Sequence, residues 1–246
     1  MTSPSNTRTL QACRNCGGGA PVDVHFCPQC SQILTIGRHG DYFAFLGVPR
    51  KLNLDPADLE QRFRALSRQF HPDYFYNATP VERRASLERS SYLNDAYRTL
   101  KNPVARVEYL LGLEGFSARG PGENVENVEN VDAGRARDAA KVPAKLLEEV
   151  FALNEELDEV RHLRAGGAAP EAWRAKLERA RAPIEAKQAA HEAELTELSA
   201  RWDALGADSG ADGCERSSIL SALRDCVLER NYINNLLEGI ERELNV

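Results

Sequence analysis

Four cysteines near the N-terminus constrain the fold of this chain more than any other feature. They form two C-x-x-C pairs, Cys13 with Cys16 and Cys27 with Cys30, separated by ten residues. Two such turns facing each other place four thiolates tetrahedrally around Zn²⁺, and Gly17–Gly19 let the backbone turn back after the first pair. Because the protein would supply all four ligands, the predicted site is structural and not catalytic. Two disulfides, or an iron ion held by the same thiolates, are the alternatives.

The other candidate ligands are not assigned to a metal. His25 lies between the two pairs and is a possible substitute, but a complete set of four cysteines makes it incidental to the site. Cys214 and Cys226 lack C-x-x-C spacing. We expect Cys226 to be a small buried hydrophobic residue and Cys214 to be a free thiol.

Composition excludes several classes of protein. The chain has 246 residues, of which 42% are hydrophobic and 28% charged, and a formal net charge of −6. This acidic balance argues against nucleic acid as the main partner. No apolar run reaches the roughly 18 residues of a membrane span, and no signal peptide is visible, so we expect no membrane association and a cytoplasmic location.

The chain divides by composition into four segments. The fold class that we predict is mainly α, with a small N-terminal zinc knuckle or ribbon, a helical hairpin and a C-terminal three-helix bundle. The helices of the bundle are predicted at roughly 144–164, 171–204 and 216–244. The repeated ENV triplet in the third segment is low in complexity and indicates a linker. The segments are a metal-binding leader at 1–38, the hairpin at 39–115, the linker at 116–141 and the bundle at 142–246.

The second segment carries a helix that stops at a His-Pro-Asp tripeptide. Leu59, Phe63, Leu66 and Phe70 recur at helical spacing and define a buried face. Asp55 or Asp58 is expected to cap its start, and Pro72 ends it because proline lacks an N–H and disfavours the α conformation of His71. The basic residues off the apolar face are Arg62, Arg64 and Arg68.

A second helical run, from Glu82 to Leu113, is predicted to brace the first as an antiparallel partner. The residues expected to pack against the first helix are Leu87, Leu93, Ala96, Tyr97 and Leu100. The tripeptide would then lie in an exposed turn beside a basic surface, braced by Tyr74, Phe75 and Tyr76. This arrangement favours protein docking, since the segment offers no nucleophile, acid–base pair or phosphate loop; the simpler alternative is a plain helix stop with solvated arginines.

These motifs resemble a known family. DYFAFLGVP, the basic helix with HPD, and NDAYRTLKNP look like a J-domain, and NDAYRTLKNPVARVEYLLGLEG resembles the HscB/Jac1 group of J-type co-chaperones of iron–sulfur cluster biogenesis. The leader CRNCG…FCPQC resembles the eukaryotic-type members. The resemblance implies docking on an ATPase chaperone of the HscA/DnaK type, with electrostatic support from the three arginines. The implied docking residues are His71, Pro72, Asp73, Arg62, Arg64 and Arg68.

The first helix of the bundle has two faces. Its core stripe comprises Leu146, Val150, Leu153, Leu157 and Val160. Leu147 and Phe151 either widen this core contact or form an exposed apolar face edged by acidic residues. LLEEVFALNEELDEV resembles the helix with which the family binds its IscU-like scaffold protein, which implies scaffold contacts by Leu147, Phe151, Glu155 and Glu159. Glu148 and Ala152 depart from the family pattern.

The last helix has a core stripe that leaves Tyr232 pointing elsewhere, and the resemblance makes Tyr232 a further candidate for scaffold binding. The stripe consists of Ile219, Leu223, Cys226, Ile233, Leu237, Ile240 and Leu244. Trp173 and Trp202 on the middle helix are predicted to be packing residues.

The leading hypothesis is therefore an adaptor and not an enzyme, which brings scaffold and ATPase together at high effective concentration. Two alternatives remain. One is a general J-protein whose zinc knuckle senses oxidation. The other is a carrier that binds iron or a cluster directly at the four cysteines.

Overall fold

The computed structural model describes residues 10–21, 24–35, 41–116, 147–167, 169–205 and 213–245. Within these ranges it contains seven α-helices and one two-stranded sheet, so the prediction of a mainly α fold is confirmed. Backbone contacts divide the chain into two compact units, Met1–Leu113 and Glu114–Val246. The segment predicted as a linker lies outside the described residues except for Phe116.

The first unit begins with a small hairpin and continues with four helices. Strands β1 and β2 are antiparallel, and Leu10 is paired with Pro21. A single 3₁₀ turn, Pro72–Phe75, separates the second helix from the third. The elements are β1 Leu10–Ala12, β2 Gly19–Pro21, α1 Tyr42–Leu46, α2 Pro56–Phe70, α3 Pro80–Lys101 and α4 Pro103–Leu113.

Local sequence signals fix the starts of these helices. The carboxylate of Asp55 accepts a hydrogen bond from the N–H of Ala57, so Asp55 is the N-cap of α2. Thr79 and Glu82 form a reciprocal capping box at the start of α3. Each helix has proline in its first turn, where the missing N–H costs nothing.

Helices α2 and α3 form the predicted hairpin. The prediction of one helix from Glu82 to Leu113 was wrong, because the run breaks at Asn102, where Pro103 disfavours the α conformation of the residue before it. The rings of Phe63 and Tyr97 stack at 4.1 Å between centroids. Buried residues fill the space between the helices, among them Leu59, Phe70, Leu93, Ala96 and Leu100. The prediction that Leu87 packs against α2 was wrong, because Leu87 is 59% exposed beside the His-Pro-Asp turn.

A buried cation joins the cysteine-rich leader to this hairpin. Arg89 of α3 is fully buried, and its Nε donates a hydrogen bond of 2.7 Å to the carbonyl of Leu34. Its Nη1 lies 2.8 Å from Nδ1 of His25. The guanidinium also lies over the ring of Phe70. Burial lowers the pKa of Arg89 to about 10, so the side chain is still charged at neutral pH.

The second unit consists of three helices, α5 Leu147–Ala165, α6 Pro170–Leu205 and α7 Gly213–Leu244. Their shared core contains Val150, Leu153 and Val160 from the predicted stripe of α5. Both tryptophans are buried, as predicted, and each is covered by an arginine of another helix: Arg164 lies over Trp173 and Arg216 over Trp202. Leu146 lies outside the described residues.

The described helices are not of the kind that crosses a bilayer, because none combines sufficient length with sufficient apolar character.

The contacts of Arg89 lead to a testable prediction. In Arg89→Leu, the carbonyl of Leu34 and the ring nitrogen of His25 each lose a donor, which we expect to destabilise the leader by about 2–4 kcal/mol. The N–H of Leu34, bonded to the carbonyl of His25 at 3.0 Å, reports this opening. Hydrogen exchange at Leu34 should accelerate by roughly 30- to 1,000-fold.

The matched control is Arg84→Leu, which removes an exposed arginine of the same helix that pairs with Glu88 at 2.8 Å. An exposed pair of this kind contributes less than about 1 kcal/mol. Equal exchange in the two variants would contradict a structural role for Arg89.

Candidate functional site

The four leader cysteines come together as the sequence predicts, and none is in a disulfide. The Sγ atoms of Cys13 and Cys30 are 3.7 Å apart, as are those of Cys16 and Cys27. A tetrahedral ion with metal–sulfur bonds of about 2.3 Å requires sulfur–sulfur distances of about 3.8 Å. The thiols are therefore spaced for a metal ion and are too far apart for disulfide bonds.

The two C-x-x-C turns are built in the same way. The first cysteine of each pair accepts a hydrogen bond from the N–H four residues later, Gly17 to Cys13 and Ser31 to Cys27, both at 2.8 Å. Each turn then ends in a left-handed residue, with φ of 71° at Gly17 and 58° at Ser31. The predicted role of the glycine run is thus confirmed at Gly17. Ser31 adopts the same conformation without that freedom.

Backbone donors prepare one thiol for metal binding. The pKa of Cys30 is lowered to about 6, first by the backbone N–H of Gln32 and then by the Asn15 side chain. The N–H of Gly18 acts in the same direction on Cys16, but contacts with Cys30, burial and the other thiols outweigh it and raise the pKa of Cys16 to about 11. A mixture of thiolate and thiol is what closely spaced cysteines adopt, because neighbouring negative charges repel.

His25 is not a metal ligand but a structural link. Its ring packs edge-on against Phe45 and Phe70, with 4.9 Å between centroids in each case, while its Nδ1 faces Arg89. The interpretation of His25 as incidental to the metal site agrees with this position, although it did not include a structural role for the side chain. Its position between the two cysteine pairs gave no sign of a partner 64 residues away.

The His-Pro-Asp turn is exposed at the end of α2. The residue His71 leaves the helical conformation, with ψ of 125°, and its Nδ1 accepts a hydrogen bond of 3.3 Å from the N–H of Asp73. The side chains of His71 and Asp73 are 51% and 86% exposed. The last turn of α2 is anchored to α3, because the carbonyl of Phe70 accepts hydrogen bonds from the hydroxyls of Ser86 and Ser90. The turn is thus fixed in place while its polar groups face solvent.

The three arginines of α2 are not equivalent. Arg62 pairs with Asp58 at 2.8 Å and donates to the carbonyl of Gly47 at 2.6 Å, so it connects α2 to the end of α1. Arg64 pairs with Glu60 on the surface. Arg68 is exposed and borders a small cleft with His71, Asp73, Ser67 and Tyr74. Of the three, Arg68 is thus the one that shares a surface with the tripeptide.

The aromatic residues after the tripeptide do not brace the turn as predicted. Tyr74 and Tyr76 are 75% and 78% exposed, and only Phe75 is half-buried. With the exposed Leu87, Tyr76 borders an open cleft of about 540 Å³. This cleft is lined by Pro72, Asp73, Tyr76, Asn77, Arg83 and Leu87. This apolar extension was not predicted from the sequence, because leucine is more often a core residue than a surface residue.

Helix α5 leaves part of its apolar sequence in solvent. Phe151 is 69% exposed and Leu147 is 39% exposed, so the first does not widen the core of the bundle. Glu155 is also exposed. Glu159 lies on the same surface but forms an ion pair with Lys176 of α6. An exposed phenylalanine beside acidic side chains is the kind of surface that a partner protein covers.

Tyr232 is placed differently from the expectation. Its side chain is half-buried and packs against the core cluster of the second unit. The rest of the α7 stripe is confirmed, with Leu237 and Leu244 partly buried and Ile219, Leu223, Cys226, Ile233 and Ile240 buried.

Comparisons with known proteins agree with this arrangement. Residues 41–109 match the sequence model of the DnaJ domain family. The chain is similar to the crystal structure of the human co-chaperone protein HscB, with 25% identity, a TM-score of 0.62, and coverage of 96% of this chain and 100% of that one. It is also similar to the chaperone HscB from Vibrio cholerae, with 28% identity, a TM-score of 0.55, and coverage of 82% and 96%.

The left-handed turn after Cys16 leads to a second prediction. In Gly17→Ala, a Cβ in the left-handed region costs about 1–2 kcal/mol, so affinity for Zn²⁺ should fall by roughly 5- to 30-fold. Competition with a chromophoric chelator measures this affinity. Gly19→Ala is the control, since a Cβ there would lie at an ordinary 3.7 Å from Leu10. Equal losses of Zn²⁺ affinity in both variants would contradict a requirement for glycine at position 17.

Proposed function

We propose that this protein serves iron–sulfur cluster biogenesis by bringing a cluster scaffold protein of the IscU type to an ATPase chaperone of the HscA/DnaK type. The match of residues 41–109 to the DnaJ domain family and the similarity of the fold to HscB support this proposal. In this role it is an adaptor and not an enzyme. The observation that carries the proposal is the conjunction of an exposed His-Pro-Asp turn with an exposed apolar and acidic face on α5.

The chaperone binds the tripeptide His71, Pro72 and Asp73 together with Arg68. His71 is held by the N–H of Asp73, so its ring is already oriented before binding and little entropy is lost. Arg68 and Arg64 provide the positive potential that speeds encounter, whereas Arg62 mainly holds α1 against α2. Tyr76 and Leu87 add apolar area beside the turn.

The scaffold protein binds α5 through Phe151, with Leu147 and Glu155 at its sides. Transfer of an exposed phenylalanine into an interface contributes about 1.5–3 kcal/mol, the size of an interface hot spot. Glu159 must share its charge with Lys176, so its contribution is smaller than that of Glu155. Tyr232 contributes at most its exposed edge, since its ring packs on the core.

The leader holds one Zn²⁺ through Cys13, Cys16, Cys27 and Cys30. The sulfur spacing and the N–H donors to the thiolates support this ion, and four protein ligands leave no position for a reaction. A closed site of this kind suits stabilisation of a small unit that has little core of its own. It does not favour transfer of iron or a cluster from these cysteines.

Steady-state ATP hydrolysis by the chaperone tests the proposal. We expect this protein to stimulate hydrolysis, the scaffold to increase the stimulation further, and His71→Gln to abolish it, because glutamine does not reproduce the ring held by Asp73. The control His162→Gln replaces an exposed histidine of α5 and should keep the stimulation measured without scaffold. Stimulation that is indifferent to scaffold would instead identify a general J-protein, and absence of stimulation would contradict chaperone docking.

Scaffold affinity tests the α5 surface separately. Phe151→Ala should weaken binding by roughly 10- to 100-fold with no loss of bundle stability, because the ring is exposed. The control is Asp158→Ala, which removes an exposed side chain of the same helix that forms a surface ion pair with Arg161 at 2.9 Å. This variant should change affinity little. Calorimetric titration of scaffold into each variant measures the difference. An unchanged affinity in Phe151→Ala would place the scaffold elsewhere.

A further inference from the structure

A second group of metal-ligating side chains lies inside the second unit, far in sequence from the leader. His191 and Glu194 lie three residues apart on α6, and Cys226 and Glu229 lie three residues apart on α7. Residues at this spacing share one helix face, so each helix contributes two chemically active side chains to the same place. His191, Cys226 and Glu229 are 6%, 4% and 7% exposed.

The carboxylate of Glu229 determines which nitrogen of His191 is available. Nε2 of His191 lies 3.1 Å from Oε2 of Glu229, a hydrogen-bond distance at which the ring donates and the carboxylate accepts. With the proton on Nε2, the lone pair of Nδ1 on the opposite side of the ring is available to bind a metal. A buried carboxylate behind a histidine is the usual way in which proteins orient a metal-binding imidazole.

The free side of the ring faces two further ligand atoms. Nδ1 of His191 is 3.8 Å from Sγ of Cys226 and 3.9 Å from Oε2 of Glu194. These three atoms all lie within 4.8 Å of one another. A tetrahedral Zn²⁺ with bonds of about 2.0–2.3 Å needs its ligand atoms about 3.4–3.6 Å apart. The two pairs that include Nδ1 are within about half an ångström of this spacing, and rotation of the half-exposed Glu194 side chain can bring its oxygen toward the sulfur.

We propose that His191 Nδ1, Cys226 Sγ and the Glu194 carboxylate bind one Zn²⁺ between α6 and α7, with Glu229 as the positioning residue. Binding converts the Cys226 thiol to a thiolate, and its proton leaves to solvent. The Glu194 side chain is 51% exposed, which gives the ion a route from the surface. Three protein ligands leave a fourth position for water, which distinguishes this site from the closed leader site.

A simpler reading is that these residues only satisfy each other in the core. Cys226 also lies 3.8 Å from the backbone carbonyl of His191, and a thiol is a weak donor to such an oxygen. That reading explains Cys226 and Glu229, and it leaves Glu194 only a long, half-exposed ion pair with Nδ1 at 3.9 Å, the same nitrogen that the sulfur faces. The two readings therefore differ most clearly at Glu194.

Metal content of the full chain decides between them. After dialysis against buffered Zn²⁺, we expect two ions per wild-type chain and one in Glu194→Gln, since the neutral amide is a poor ligand. Glu197→Gln is the matched control, because it removes an exposed carboxylate of the same helix one turn away and should keep two ions. One ion per wild-type chain, or equal content in the two variants, would overturn the proposal.

Cobalt identifies the sulfur ligand independently of the leader. With one equivalent of Zn²⁺ in the four-cysteine site, added Co²⁺ should give a thiolate-to-cobalt charge-transfer band that is lost in Cys226→Ser. Cys214→Ser, which removes the exposed cysteine of the same helix, should retain it. Glu229→Gln should weaken Co²⁺ binding by roughly 10- to 100-fold. A band that persists in Cys226→Ser would overturn the assignment, and it would leave the adaptor proposal unaffected.

Discussion

The hydrogen bonds of the buried guanidinium of Arg89 fasten the leader to the helices of the first unit. This one side chain binds the carbonyl of Leu34 in the leader, faces His25 between the cysteine pairs, and covers the ring of Phe70 at the end of α2. Burying a cation is costly unless its donors are satisfied. Two of its nitrogens have partners, whereas Nη2 has no hydrogen-bond partner among the described residues. The leader is thus fastened by a few directional bonds, together with ring contacts of His25 and Phe26 on Phe70.

The attachment of the leader through Arg89 connects the metal site to the His-Pro-Asp turn. Phe70 is the residue immediately before His71, and its carbonyl is held by Ser86 and Ser90 of the helix that also carries Arg89. The contacts of Arg89, Ser86 and Ser90 on α3 therefore connect the leader, the end of α2 and the His-Pro-Asp turn. A metal ion that orders the cysteines also restrains His25 and Leu34, which are the partners of Arg89.

The sequence predicted the periodic and local features well. The spacing of the cysteines, the cap at Asp55, and the apolar stripes of α2, α5 and α7 all follow from rules that act within a few residues or one helix face. It failed where a side chain could be either core or surface. Leu87, Tyr74 and Tyr76 were assigned to packing and are exposed, and Tyr232 was assigned outward and is half-buried. Hydrophobic character alone does not say which apolar residues the fold leaves uncovered.

The sequence by itself determined the positions of the helices, apart from the break at Asn102, and the four-cysteine site, because each depends on residues close together in the chain. Only the tertiary structure decided which distant groups meet. Arg89 finds Leu34 across 55 residues, and His191 finds Cys226 across 35. Neither pair has a spacing that a pattern could reveal, since each results from how whole helices and the leader pack. Long-range contacts of polar side chains depend on that packing. The attachment of the leader and the second metal-ligand group depend on it in turn.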